Sequence, residues 1–138
     1  MELKYYFDTC IWIDYFENRS DKFRPLGDWA LTLINKIIKN NKIILYSNLV
    51  EEELNLIYSK DKVQKIFGII PKQILIKINS TEEQLKEAIY LSKKLKIPVK
   101  DCLHAILARD NNSILVTRDK HFLELLDIVK IKKPEDLI

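Results

Sequence analysis

The chain has 138 residues, 47% of them hydrophobic and 31% charged, which is enough to bury one core without disulfides or a structural metal. Two glycines and four prolines argue against a disordered or hairpin-repeat protein. A formal charge of +3 permits a nucleic-acid partner without demanding one.

The predicted elements alternate. Leu3 to Phe7 reads as a buried, aromatic strand that closes on Asp8, and Ile11 to Phe16 as a short helix. Residues 19–28, with Pro25 and Gly27, read as a loop, and the stripe Trp29, Leu33, Ile34, Ile37 and Ile38 as a helix stopped at Asn40 and Asn41. Lys42 to Tyr46 is a second strand, and Ser47 caps a helix to about Tyr58. Lys60 to Pro71 is a short helix and a loop, and Ile74 to Ile78 is a third strand. Ser80 or Thr81 caps a helix that Pro98 breaks, and Asp101 to Arg109 is another helix. Ile114 to Thr117 is a strand, a short helix covers Phe122 to Leu126, and Asp127 to Lys132 is the last strand, with a tail from Pro134. This alternation predicts a single domain over residues 1–138, a parallel sheet with helices on both faces.

Cys10 and Cys102 have neither metal spacing nor a disulfide framework, which suits a reducing cytoplasm. Glu2, Lys4 and Asp8 interrupt the first stretch, so it does not read as a signal peptide, and no apolar run approaches a membrane span.

Four acids stand where runs end or helices pack: Asp8, Glu53, Asp101 and Asp119. In an α/β fold the carboxyl ends of the strands open onto one crevice. Carboxylates gathered there repel one another unless a cation lies between them, and Mg²⁺ suits hard oxygen ligands and a substrate phosphate. Asp8, Asp101 and Asp119 each have an ordinary alternative as helix caps or dipole partners. Glu53 is more telling. On a helical wheel it falls between Leu49 and Ile57, inside the apolar stripe, whereas Glu51 and Glu52 fall off it or at its margin. A carboxylate aimed inward needs a partner: a metal, a proton, or a lysine or arginine reaching in. Asp101 shares a helix face with Ala105 and Ala108, which allow close approach to the sheet. His104 beside that face reads as a packing residue, and His121 as lying elsewhere. Thr9 and Thr117 flank the first and last acids and are candidates to hold water or orient carboxylates. Lys60, Lys62, Lys65 and Lys72, with Arg19, Arg118 and Lys120, could line a phosphate backbone or simply be solvated surface.

Together these segments resemble the PIN-domain ribonucleases, above all the VapC-type toxins. FDTCIWIDYFENR is similar to the family's opening strand and acid, YSNLVEEEL to the helix-glutamate segment, IPVKDCLHAILAR to the third-acid helix and ILVTRDKHF to the fourth-acid strand end. KIKKPEDLI resembles the family's closing segment. The resemblance implies a PIN-like three-layer α/β/α fold with a parallel sheet of about five strands, and a Mg²⁺ or Mn²⁺ site held by Asp8, Glu53, Asp101 and Asp119 with Thr9 and Thr117 nearby. It also implies cleavage of RNA, a homodimer and a small antitoxin partner. Water activated by one or two such ions would attack phosphorus in line. For the dimer, the apolar segment Val63 to Ile70 or the stripe around Trp29 is the expected surface. Glu53→Gln is expected to abolish cleavage and, by relieving repulsion, to stabilise the metal-free protein. A phosphatase with an aspartyl nucleophile would want an acid two residues after Asp8, where Cys10 stands. The alternative from another class is a catalytically silent PIN-like module that binds RNA or a partner.

Overall fold

The computed structural model describes residues 3–138, so Met1 and Glu2, on which part of the leader-peptide reading rests, lie outside the described residues. Strand β1 (Lys4–Phe7) leads into helices α1 (Thr9–Glu17) and α2 (Leu26–Lys39). Strand β2 (Ile43–Ser47) leads into α3 (Asn48–Ile57) and α4 (Lys60–Gly68), and β3 (Leu75–Ile78) into α5 (Glu82–Leu95) and α6 (Val99–Asp110). Strand β4 (Ile114–Val116), a 3₁₀ turn (Lys120–Leu125), β5 (Ile131–Lys132) and a second 3₁₀ turn (Pro134–Asp136) complete the chain.

The five strands form one parallel sheet in the order β3-β2-β1-β4-β5. Every connection is a crossover, and crossovers between parallel strands are right-handed. The chain moves from β1 through β2 to β3 in one direction, then jumps back past β1 to β4. That reversal puts α1 to α4 on one face of the sheet and α5 and α6 on the other, an α/β/α sandwich. The packing agrees: α1 lies on α2 and α3, α3 on α4, α5 on α6, and α6 on the 3₁₀ turn after β4. The strands are apolar because both faces are covered; Tyr6, Phe7, Ile44, Leu45, Leu115 and Val116 are buried.

Four expectations need correction. Residues 26–28 belong to α2, because proline is tolerated just before a helix, and Pro25 precedes its first turn. Gly27 is a packing residue: a Cβ there would stand 2.5 Å from the Asn18 Cα and 2.7 Å from the Asp14 carbonyl, where α2 crosses the end of α1. The last strand is confined to Ile131–Lys132, since β4 offers only Leu115 and Val116 as partners, and Pro134 opens a 3₁₀ turn instead of a tail. Finally, the two surfaces expected to dimerise are largely spent inside the protomer. Val63, Ile66 and Ile70 are core residues, and Phe67 stacks on Tyr46 and meets Trp12 edge-on. Ala30, Leu33, Ile34 and Ile37 of α2 are buried, and Arg118 lies over the Trp29 ring at 5.5 Å.

Candidate metal centre

The reversal of direction between β1 and β4 makes their carboxyl ends the switch point of the sheet, where α/β folds open a crevice. Asp8 follows β1 and its N–H donates to the Val116 carbonyl at 3.0 Å, so it stands at that point. It occupies the cap position of α1 but makes no side-chain cap bond there. Instead its Oδ2 accepts from Thr117 Oγ1 at 2.8 Å and from Cys10 Sγ at 3.2 Å. Thr117 also accepts from the Asp119 N–H at 3.1 Å, so this one hydroxyl orients both acids. Asp119 does act as a cap, accepting from the His121 N–H at 2.9 Å.

Glu53 arrives from α3, which is started by Ser47. Its stripe is divided in use: Leu49, Val50 and Leu54 are core, while Leu56 and Ile57 are 81% and 58% exposed at the cleft. Glu53, between the two halves, therefore points at the cleft wall and not into the core. Asp101 lies in the first turn of α6, whose residues Cys102 to Ala108 are all buried against the sheet. The four acids line one open cleft of about 370 Å³ together with Thr9, Cys10, Ile13, Leu56, Ile57 and Lys100.

Both histidines do more than the sequence reading assigns them. His104 is 1% exposed, and its Nε2 lies 2.7 Å from Glu53 Oε1 and 3.9 Å from Asp8 Oδ1. The inward partner of Glu53 is thus an imidazole rather than a lysine or arginine. The available signal was spacing: His104 is three residues after Asp101 on one helix, and such residues are neighbours. His121 Nδ1 stands 3.0 Å from Asp101 Oδ2 and 3.4 Å from Asp119 Oδ1, which no local pattern announced. Arg118, considered for phosphate contact, faces inward between Asp14 (3.4 Å) and Glu135 (2.8 Å).

The electrostatics are unequal. Burial raises the Asp101 carboxyl above its ordinary range, and the charges of Asp119 and Asp8 raise it further against the His121 hydrogen bond. Burial works the same way on Glu53, but the hydrogen bond from His104 and the charge of Lys100 outweigh it and hold Glu53 below its ordinary value. Burial and Asp8 push the Cys10 thiol well up, so it is a donor to Asp8 and not a nucleophile.

A divalent cation fits these residues. The carboxylate donors are hard oxygens, the charges of Asp119 and Asp8 both bear on Asp101, and the buried Thr9 Oγ1 has no hydrogen-bond partner. Asp101, Asp119 and His121 each bring one ligand atom within 4.8 Å of the others. The arrangement can concentrate positive charge at the strand ends.

Comparison with known proteins bears on the family and the fold. The PIN domain family model matches residues 5–126, which contain all four acids. The chain belongs to the PIN domain family. Solved structures similar to this PIN domain include VapBC2 from Rickettsia felis bound to a DNA fragment from its promoter (TM-score 0.70, 20% identity, 95% of this chain and 98% of the other). VapBC-1 from nontypeable Haemophilus influenzae is similar too (TM-score 0.69, 18% identity, 96% and 99%). So is a toxin–antitoxin complex from Klebsiella pneumoniae (TM-score 0.66, 19% identity, 94% and 96%). At these identities the likeness is one of fold. No curated protein sequence matches the chain.

Proposed function

We propose that this PIN domain is a Mg²⁺- or Mn²⁺-dependent endoribonuclease and the toxin of a toxin–antitoxin pair. The observation that carries the reading is the convergence of Asp8, Glu53, Asp101 and Asp119, from separate elements, on the switch-point cleft. Similarity of fold to a toxin–antitoxin complex supports the partner.

In this reading the four carboxylates hold the ion. When bound, it would supply a lowered pKa for attacking water and charge stabilisation on phosphorus. The protein's own groups do the rest. Thr117 fixes Asp8 and Asp119 relative to each other. Cys10 donates to Asp8 and leaves that residue's other oxygen for the cleft. Lys100, at the cleft wall, attracts the substrate phosphate and favours ionised Glu53. Beside Asp119 a second cleft of about 400 Å³ is lined by Arg24, Lys120, Lys132 and Lys133, which suits the RNA backbone on its way past the carboxylates. Leu56 and Ile57, exposed at the rim, suit an apolar segment of an antitoxin. A homodimer belongs to this reading, through surfaces other than α4 and the α2 stripe. Among the described residues no helix is long and apolar enough to cross a membrane.

The deciding experiment is cleavage of a labelled RNA by the purified protein. Cleavage is expected with Mg²⁺ or Mn²⁺ and should stop in excess EDTA. Undiminished cleavage in chelator would sink the metal-dependent mechanism. No cleavage of any RNA, with the ion bound, would favour a silent binding module.

A further inference from the structure

A chain of buried side chains runs from the middle of the sheet to Glu53. Ser47 Oγ lies 2.7 Å from the Tyr6 hydroxyl, the Tyr6 hydroxyl 2.6 Å from His104 Nδ1, and His104 Nε2 2.7 Å from Glu53 Oε1. Tyr6 and Ser47 are wholly buried. Counting hydrogens assigns every bond a direction. The Val50 N–H donates to Ser47 Oγ at 3.2 Å as the cap of α3. The Ser47 hydroxyl then donates to the Tyr6 oxygen, and Tyr6 donates to Nδ1. A neutral imidazole with an acceptor at Nδ1 carries its hydrogen on Nε2, and that hydrogen points at the Glu53 carboxylate. The other tautomer would turn a ring lone pair on the carboxylate. A doubly protonated ring would make Tyr6 donate to Ser47 and leave the serine hydrogen without an acceptor among the described residues.

We infer that His104 is a positioning residue: Tyr6 and Ser47 impose its Nε2–H tautomer, and that N–H holds Glu53 Oε1 so that the second oxygen faces the cleft as a ligand for the divalent cation. The inference rests on the metal-site reading above. His104 is buried behind Glu53 and Asp8 and does not reach the substrate. The strands thereby aim the helix carboxylate. Tyr6 is from β1, Ser47 ends β2, and both act on Glu53 of α3 through His104 of α6. Supporting groups of this kind commonly contribute 10–100-fold to metal affinity.

The test uses ¹⁵N-histidine NMR of the metal-free protein and Mn²⁺ titration calorimetry, with wild type, Tyr6→Phe, His104→Gln and the double variant. Wild type should show one histidine in a single Nε2–H tautomer. Tyr6→Phe, which keeps the ring and removes the donor, should mix the tautomers and weaken Mn²⁺ binding by about tenfold. In His104→Gln the introduced side-chain amide is its own N–H donor to Glu53 and has no tautomer to set. Adding Tyr6→Phe to His104→Gln should therefore weaken binding by less than about twofold. Wild type that binds Mn²⁺ while His104 holds the other tautomer overturns the positioning role alone. Equal losses from Tyr6→Phe in both backgrounds also overturn it, since Tyr6 would then act by packing. Wild type with the Nε2–H tautomer but no Mn²⁺ binding overturns the metal-site reading and with it the purpose assigned to His104.

Discussion

Glu53 and Asp101 face the same cleft and differ in what holds them, so removing their charges should act in opposite directions. Glu53 is kept ionised by His104, and its folded-state pKa lies below the ordinary value. Its contribution to stability is present above the ordinary glutamate pKa and is lost as pH falls through the lowered one. Glu53→Gln should therefore destabilise the metal-free protein by about 1 kcal/mol, the difference between a charge-assisted and a neutral hydrogen bond. This reverses the stabilisation expected from repulsion alone. Cleavage should fall by more than the roughly 10–100-fold typical of outer partners. Glu51, paired with Lys77 at 3.1 Å on the surface, and exposed Glu52 should each tolerate Gln within about ±0.5 kcal/mol and with near-normal cleavage. Asp101 behaves in the contrary sense. Burial, Asp119 and Asp8 raise its pKa, so its ionised form opposes folding. In EDTA at neutral pH, Asp101→Asn should raise the melting temperature, and the gain should fade as pH falls below the carboxylate range and wild-type Asp101 takes up its proton. A gain of equal size at pH 3 and pH 7 would refute the electrostatic origin.

Among the elements, α1, α2 and α6 decide how closely carboxylates can approach. The near-total burial of α6 from Cys102 to Ala108 brings Asp101 down to the strand ends, as the small residues Ala105 and Ala108 suggested. The crossing of α1 and α2 depends on the missing side chain at Gly27. Gly27→Ala would push a methyl group into backbone of Asn18 and Asp14, which cannot yield like a flexible side chain. Denaturant unfolding should show a loss of about 1–3 kcal/mol. Gly68, with open space where its Cβ would be, makes the control: Gly68→Ala should not share that loss. The strands were legible as apolar runs because both faces of the sheet are covered. The start of α2 was not, because proline and glycine there serve a helix entry and a close crossing instead of a loop.

For the whole molecule, the cationic side chains beside Asp119 share their cleft with the exposed Leu123 and Leu126, and the carboxylate cleft carries Lys100. Lys120, Lys132 and Lys133 line the neighbouring cleft beside Asp119, whereas Leu56 and Ile57 stand at the carboxylate cleft itself. Replacing Lys132 and Lys133 by Glu should raise KM for RNA several-fold and flatten its salt dependence by about two phosphate contacts, with Mn²⁺ affinity unchanged. A variant with unaltered KM and salt slope would move the RNA path elsewhere. What the sequence determined by itself was local: the apolar runs, the cap at Ser47, a cap at Ser80 or Thr81, of which the structure uses Thr81, and the single glutamate of three that shares its helix face with leucines. Those follow from periodicities of one strand or one helix, which neighbouring residues encode. The order of the strands, the switch point between β1 and β4, the partnership of Tyr6, Ser47 and His104 with Glu53, and the approach of His121 to Asp101 were decided only by the tertiary structure. Each joins residues far apart in the chain, and the direction of a side chain across such a gap is set by packing that no local pattern carries.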